Sequence, residues 1–343
     1  MVAGHICLDV IPAIDHPVAF TPGALLEVGA ATLATGGPVS NVGLALHKLG
    51  LSVALAGKLG DDLFGKAVLE FLKESGIGLD RHMIIDQGAT TSYSLVISSP
   101  GADRIFLHCP GANDTYGSED LLSLLDQLCK GPERPRLLHF GYPPLMARML
   151  GDGGSELERL FRGARELDLM TSLDMAMPDP STMAGKANWK SILRKCLPYV
   201  DLFAPSLEEL QFMLGKLSPE RLAETCLDWG AGLVCIKMGE AGIFLRSRSA
   251  RFSSEWNRVE LRHPCFEVEV AGTTGSGDAT IAGLILGILR GLTPLETARA
   301  ACAVGACCVE APDAVSGIKP WGEVQARLAG GWAVYEHSNI AKN

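Results

Sequence analysis

Ala271-Gly272-Thr273-Thr274-Gly275-Ser276-Gly277-Asp278-Ala279-Thr280 runs into the apolar stretch Ile281-Ala282-Gly283-Leu284-Ile285-Leu286-Gly287-Ile288-Leu289. The pattern reads as a strand, a glycine-rich turn and the start of a buried helix. Gly275 and Gly277 bracket Ser276 where the chain bends tightly, and bare glycines let a ligand approach backbone N–H groups. The first N–H groups of a helix lack intrahelical partners and carry the positive end of its dipole, so an anion is favoured there. Asp278 stands in the first helical turn, placed to accept a proton from a hydroxyl that attacks a phosphoryl group. An acid at this point also stabilises a helix by up to about 1 kcal/mol, and the motif alone does not separate the two readings.

Upstream, strands and helices alternate. His5-Ile6-Cys7-Leu8-Asp9-Val10 suits a buried parallel strand carrying Asp9 at its C-terminal end, where open α/β sheets gather ligands. As a bare turn cap before Pro12, Asp9 would need no ligand. Gly36-Gly37 precedes a helix in which Val42, Ala45, Leu46 and Leu49 fall at helical spacing and which Gly50 ends. Asn41, in its first turn, can both donate to and accept from a hydroxyl, or serve only as a helix-start residue. A second strand covers 52–60 and a helix starts at Asp61-Asp62. Thr91 to Ile97, a turn over 98–103 and Arg104 to His108 form a β-hairpin. Further strands are expected over 136–140, 169–174, 200–203 and 233–237. Strands separated by helical stretches make a doubly wound, mostly parallel sheet. Lys237, Gly239 and Gly242 follow the last of these strands, where bare backbone admits a ring or a phosphate or merely turns the chain. The Ala-, Gly- and Cys-rich stretch 295–309 reads as a helix packed closely on a neighbour, with room for an adenine ring.

The 343 residues carry 30 Lys+Arg against 39 Asp+Glu, a formal charge of −9, and no stretch concentrates basic residues. Nucleic acid is therefore not an expected partner. Apolar runs are too short to span a bilayer, and no secretory signal is visible. Ten cysteines without a C-x-x-C pair fit a reduced, cytoplasmic protein.

With these segments placed, the chain resembles the ribokinase-like sugar kinases of the phosphofructokinase-B (PfkB) family along nearly its whole length. The early signature over 36–50 and the late one over 272–278 stand in the family's order and separation. The resemblance implies one ribokinase-like α/β domain over 1–343 with a small β-lid formed by segments of about 15–33 and 91–108. It implies transfer of the γ-phosphoryl group of Mg²⁺-ATP to a hydroxymethyl group of a small sugar or sugar-like alcohol. Asp278 would be the base and the Gly275, Ser276 and Gly277 backbone the anion hole. Asp9, Gly36, Gly37 and Asn41 would hold the alcohol, Lys237, Gly239 and Gly242 the nucleotide, and Glu209 the metal through water. Lids of this family often pair between subunits, which leaves a homodimer through the lid as one candidate assembly and the oligomeric state open.

Two positions depart from the family. Ser206 replaces the usual Asn of its Asn-x-x-Glu motif, and Gly272 replaces an acid that relatives use near a monovalent-cation site, so K⁺ dependence is not carried over. A nucleoside kinase of the same fold and a non-catalytic sugar or nucleotide sensor are the competing readings. A nicotinamide-dependent dehydrogenase lacks its G-x-G-x-x-G after the first strand.

Overall fold

The structure is a computed structural model that describes residues 1–18, 21–100, 105–248 and 251–335. Positions 19–20 of the expected lid, and 101–104 of the expected hairpin, lie outside the described residues. In chain order the strands are β1 (Val2–Gly4), β2 (Cys7–Pro12), β3 (Ala31–Gly36), β4 (Leu55–Ala56), β5 (Lys58–Gly60), β6 (Ile84–Asp86) and β7 (Tyr93–Ile97). They continue with β8 (Ile105–Cys109), β9 (Leu137–Gly141), β10 (Met170–Leu173), β11 (Leu202–Phe203), β12 (Leu233–Lys237), β13 (Ile243–Ser247) and β14 (Glu260–His263).

Eight strands form the main sheet in the order β14-β13-β12-β11-β10-β9-β1-β4. Strands β4 to β12 within it pair in parallel, and β13 and β14 are antiparallel additions. Because successive side chains point to opposite faces, Leu233 and Cys235 enter one core while Val234 and Ile236 enter the other. Both faces are covered by helices, which is why these strands read as continuous apolar runs rather than alternating ones. The helix Ser276–Leu289 lies in the first of these cores against Pro294–Val309. Small side chains set that distance: a Cβ at Gly283 would sit 2.6 Å from Ala301 Cα. The small residues of 294–309 are thus engaged in helix packing. Among the described residues, no helix is long and apolar enough to cross a membrane.

A second sheet has the order β3-β2-β7-β8. It corrects the expected boundaries at the N-terminus. The apolar run 5–10 is not one core strand: β1 ends at Gly4, whose φ is 123°, and the chain re-emerges as β2 in the second sheet. Asp9 therefore stands on the second sheet, not at the end of a main-sheet strand. Hydropathy is continuous across that break, so the change of sheet leaves no mark in the sequence. Of the expected segment 15–33, only 31–33 belongs to a strand among the described residues.

The register of this sheet sorts its two faces. Asp9 is opposite Ala34 and Ser94, and Ser94 is opposite His108, a mostly polar row. One residue further, Leu33, Val10, Leu95 and Leu107 form an apolar row across all four strands on the other face.

Candidate active site

The strand order reverses about β1, which pairs with β4 on one side and β9 on the other. Open α/β sheets bind ligands at the carboxyl ends of strands beside such a point. Several side chains emerge there: His5 just past β1, Tyr142 past β9, Asp174 past β10 and Lys237 at the end of β12. His5 and Tyr142, with the second sheet and the 272–278 turn, line a cavity of about 1340 Å³.

Asp278 is 3% exposed in the first turn of the Ser276–Leu289 helix. Its Oδ2 accepts from Asn41 Nδ2 at 2.9 Å, and the single Tyr142 O–H is shared between Oδ2 at 3.0 Å and Oδ1 at 3.1 Å. Burial raises the Asp278 pKa above the ordinary carboxylate range, against the opposing pull of Asn41, Lys237 and Tyr142. The fold thus joins Asp278 to Asn41, 237 positions away in sequence. Gly275, the N-cap, has φ 75°, the left-handed region that glycine tolerates, and a Cβ there would run into Ala314. Ser276 N–H donates to Thr273 O at 3.3 Å, whereas the N–H groups of Gly277 and Asp278 have no backbone partner among the described residues. Gly275 N–H likewise has no backbone partner there, so open donors stand on both sides of Ser276.

Lys237 does not reach toward the turn formed by Gly239 and Gly242. Its Nζ donates to Asp174 Oδ1 at 2.8 Å, and a Cβ at Gly277 would lie 3.4 Å from that Nζ. The ammonium sits behind the anion turn. Burial opposes its charge, but Asp174 and Glu209 outweigh that and raise its pKa. Burial also pushes Asp174 upward, with Lys237 opposing. Ser206 caps the Leu207–Leu214 helix: its Oγ accepts from Glu209 N at 3.2 Å, and Glu209 Oε2 accepts from Ser206 N at 2.7 Å. A serine caps a helix about as well as an asparagine, so the replacement keeps Glu209 in place.

On the opposite side of Asp278, Asp9 folds over Gly36, where any Cβ would strike its carboxylate. Gly37 has φ 84° and caps the Pro38–Lys48 helix that carries Asn41. The double glycine is thus needed once for space and once for backbone conformation. Burial raises the Asp9 pKa, opposed by hydrogen bonds from Cys7 and Ser94.

Gly239 is open, with nothing near its Cβ direction, whereas Gly242 packs against His263 and Pro264. Gly239 leaves open space beside its backbone, and Gly242 is held to glycine by its close packing and φ of 82°. Position 272 has no room for an acid, since a Cβ there would sit 2.9 Å from Pro312 O. A phosphate-bound Mg²⁺ needs one or two protein carboxylates and takes water and phosphate for the rest. Asp174 Oδ2, buried without a partner, and Glu209 fit that demand. No cluster of three or more His, Cys, Asp or Glu among the described residues makes a closed metal cage.

Sequence reasoning missed Tyr142, Asp174, His5 and His108. Tyr142 has a left-handed backbone, φ 61°, an outlier for an aromatic residue; the run Gly141-Tyr142-Pro143-Pro144 after a strand was its only signal.

The pfkB family carbohydrate kinase profile matches residues 1–321. The chain is 27% identical over 303 residues to the 2-dehydro-3-deoxygluconokinase of Bacillus subtilis (86% of this chain, 87% of that protein). It is 26% identical over 299 residues to fructokinase-1 of Zea mays (85% and 84%). The fold matches Arabidopsis thaliana ribokinase, solved with ribose and ATP, at a TM-score of 0.74 and 19% identity, covering 95% of this chain and 97% of that one. An early double-glycine segment and a late glycine turn meeting at one buried aspartate, within a profile that spans 1–321, make the chain a member of the pfkB family of carbohydrate kinases.

Proposed function

We propose that the chain transfers the γ-phosphoryl group of ATP to a hydroxymethyl group of a small sugar or sugar-like alcohol. The observation that carries this is Asp278: a buried carboxylate, oriented by Asn41 and Tyr142, at the open N-terminus of a buried helix. Oδ2 holds the Asn41 amide and Oδ1 only a share of the Tyr142 hydrogen, so Oδ1 takes the proton of the attacking hydroxyl. The Gly277 and Asp278 N–H groups, with the helix dipole, meet the charge on the transferring group. Lys237 adds a full positive charge from behind the turn. Mg²⁺, when bound through Asp174 and, by way of water, Glu209, neutralises phosphate charge and aligns the donor. With no acid at position 272, we propose no monovalent-cation requirement.

Substrate-dependent ADP release in a coupled assay tests this reading. Turnover is expected with at least one sugar or nucleoside and none without an acceptor. Ligand-induced thermal stabilisation with no ADP from any member of the panel would instead make the protein a sensor. A relative's name points to a sugar acid in one case and to fructose in another, so the acceptor has to come from this chain's own cavity.

We further propose that the second sheet is a lid that pairs two copies. Its outer row leaves Leu33 45%, Leu95 36% and Leu107 51% exposed, a contiguous apolar face of the kind that marks an interface. Sedimentation velocity is expected to give a dimer, and Leu95→Glu/Leu107→Glu a monomer. A wild-type monomer at micromolar concentration would dismiss the pairing. The ten cysteines, all free, suit a reducing compartment, and we place the enzyme in the cytoplasm.

A further inference from the structure

We propose that the acceptor is a neutral polyhydroxylated sugar, free or as the ribose of a nucleoside, whose hydroxyls are read by His5 and His108, and that sugar acids and sugar phosphates are rejected. This rests on the kinase reading above and narrows it.

Three residues that line the cavity each carry a buried polar atom with no hydrogen-bond partner: His5 Nδ1, Asn41 Oδ1 and His108 Nε2. Buried polar groups are rarely left unpaired without a functional reason, and the surrounding network shows what each is waiting for. Asn41 gives its amide hydrogen to a carboxylate, which can only accept while ionised, so its carbonyl oxygen faces away and is a bare acceptor. Ser92 Oγ donates its single proton to Cys109 O at 2.8 Å. His5 Nε2, 3.4 Å from that oxygen, must therefore be the donor, which leaves His5 Nδ1 an acceptor. The Ser94 hydroxyl supports the Asp9 carboxylate and is 3.1 Å from His108 Nδ1. Whichever of Nδ1 and the Ser94 hydroxyl donates, His108 Nε2 has no partner and is open to a hydroxyl.

Both rings are neutral near pH 7. Burial drives the His5 pKa down to about 3, with the His108 ring adding to it, and burial lowers His108 too, against Asp114. Neither histidine serves as a cation. Among the described residues, no Lys or Arg lines the cavity, whereas Asp9, Asp114, Asp179, Glu209 and Asp278 do. A wall of acceptors and carboxylates matches a ligand whose groups are O–H donors. A carboxylate or phosphate on the acceptor would enter with no counter-charge and several repulsive neighbours, beyond the one subsite where the open N–H groups and Lys237 already serve the donor phosphate. The register explains how the wall arises: Asp9, Ser94 and His108 fall in one row of the second sheet.

The test pairs binding with turnover. Thermal shift without ATP, and coupled ADP release with Mg²⁺-ATP, are measured for D-fructose, D-ribose, inosine, 2-dehydro-3-deoxy-D-gluconate and D-fructose 6-phosphate. A neutral member is expected to stabilise the protein and to exceed both anionic members in kcat/KM by at least about a hundredfold, as sites selective through buried polar groups do. Whether fructose, ribose or inosine leads separates a free sugar from a nucleoside. An anionic member binding or reacting best overturns the inference and leaves the kinase reading intact. Binding of neutral members with no ADP removes the kinase reading and keeps the acceptor class; no binding by any neutral member overturns the class. His108→Leu is expected to raise KM for the best neutral acceptor by roughly tenfold or more, the loss of one buried hydrogen bond, with kcat within about threefold. His108→Gln, which can still accept, is expected to recover most of it. An unchanged KM in His108→Leu removes His108 from the reading.

Discussion

Asp278→Asn is expected to lower substrate-dependent ADP release by about 10²- to 10⁴-fold, the range a positioned base contributes, without unfolding the protein. Burial raises the Asp278 pKa in the folded state, so folding makes its charge less favourable than it is in the unfolded chain. Such a group contributes stability that is fully present below its unfolded pKa and is lost as pH rises through the folded one. An amide stays neutral and does not lose it, and its oxygen can still accept from Asn41 and Tyr142. The variant should therefore melt at or above the wild-type temperature near pH 7 while being nearly inactive. Activity within a few-fold of wild type would remove Asp278 as the base. In the wild type the same shift places the acid limb of kcat/KM above the ordinary aspartate range. Tyr142 lowers the Asp278 pKa by donating to it. Tyr142→Phe is therefore expected to move that limb to higher pH, and a limb that stays put would show that the tyrosine does not tune the base.

The second large effect is expected at Lys237. Lys237→Met leaves Asp174, 1% exposed, without its counter-charge, and breaking one side of a buried ion pair typically costs about 3–5 kcal/mol. The double substitution Lys237→Met/Asp174→Asn removes both charges and should regain most of that stability in urea unfolding. It should not regain activity, because the ammonium beside Gly277 and the carboxylate assigned to Mg²⁺ are both gone: losing such charge stabilisation of the transferring group is expected to cost about 10²- to 10³-fold or more in kcat. If the double variant is both stable and nearly as active as wild type, the pair is structural only. The comparison separates the roles because folding sees the pair only as a balanced charge, whereas catalysis needs each of its two charges.

Local chemistry was legible where a residue acts through its own backbone neighbourhood. Gly275-Ser276-Gly277-Asp278 announces a helix N-terminus because the turn needs glycine conformations and the helix needs an apolar continuation. Gly36-Gly37 announces the other helix start for the same reason. Legibility failed where function depends on what the fold lays alongside. Lys237 was read with its sequence neighbours Gly239 and Gly242, yet its long side chain turns under Gly277 to meet Asp174. Ser206 looked like a defect in a metal motif, but its hydroxyl forms the same kind of cap and holds Glu209 where it stands.

By itself, the sequence determined the alternation of apolar strands and helices, hence the parallel doubly wound sheet, and both glycine turns that flank the chemistry. These follow from periodicity and backbone sterics, which are local. Only the tertiary structure decided that Asp9 belongs to the second sheet. It likewise decided that Asp9, Ser94 and His108 share a row, that Tyr142 and Asn41 hold Asp278, and that His5, Asn41 and His108, each with an unpaired polar atom, line one cavity. Those are pairings across tens to hundreds of residues, set by strand register and the strand-order reversal at β1. A chain read one window at a time has no term for them.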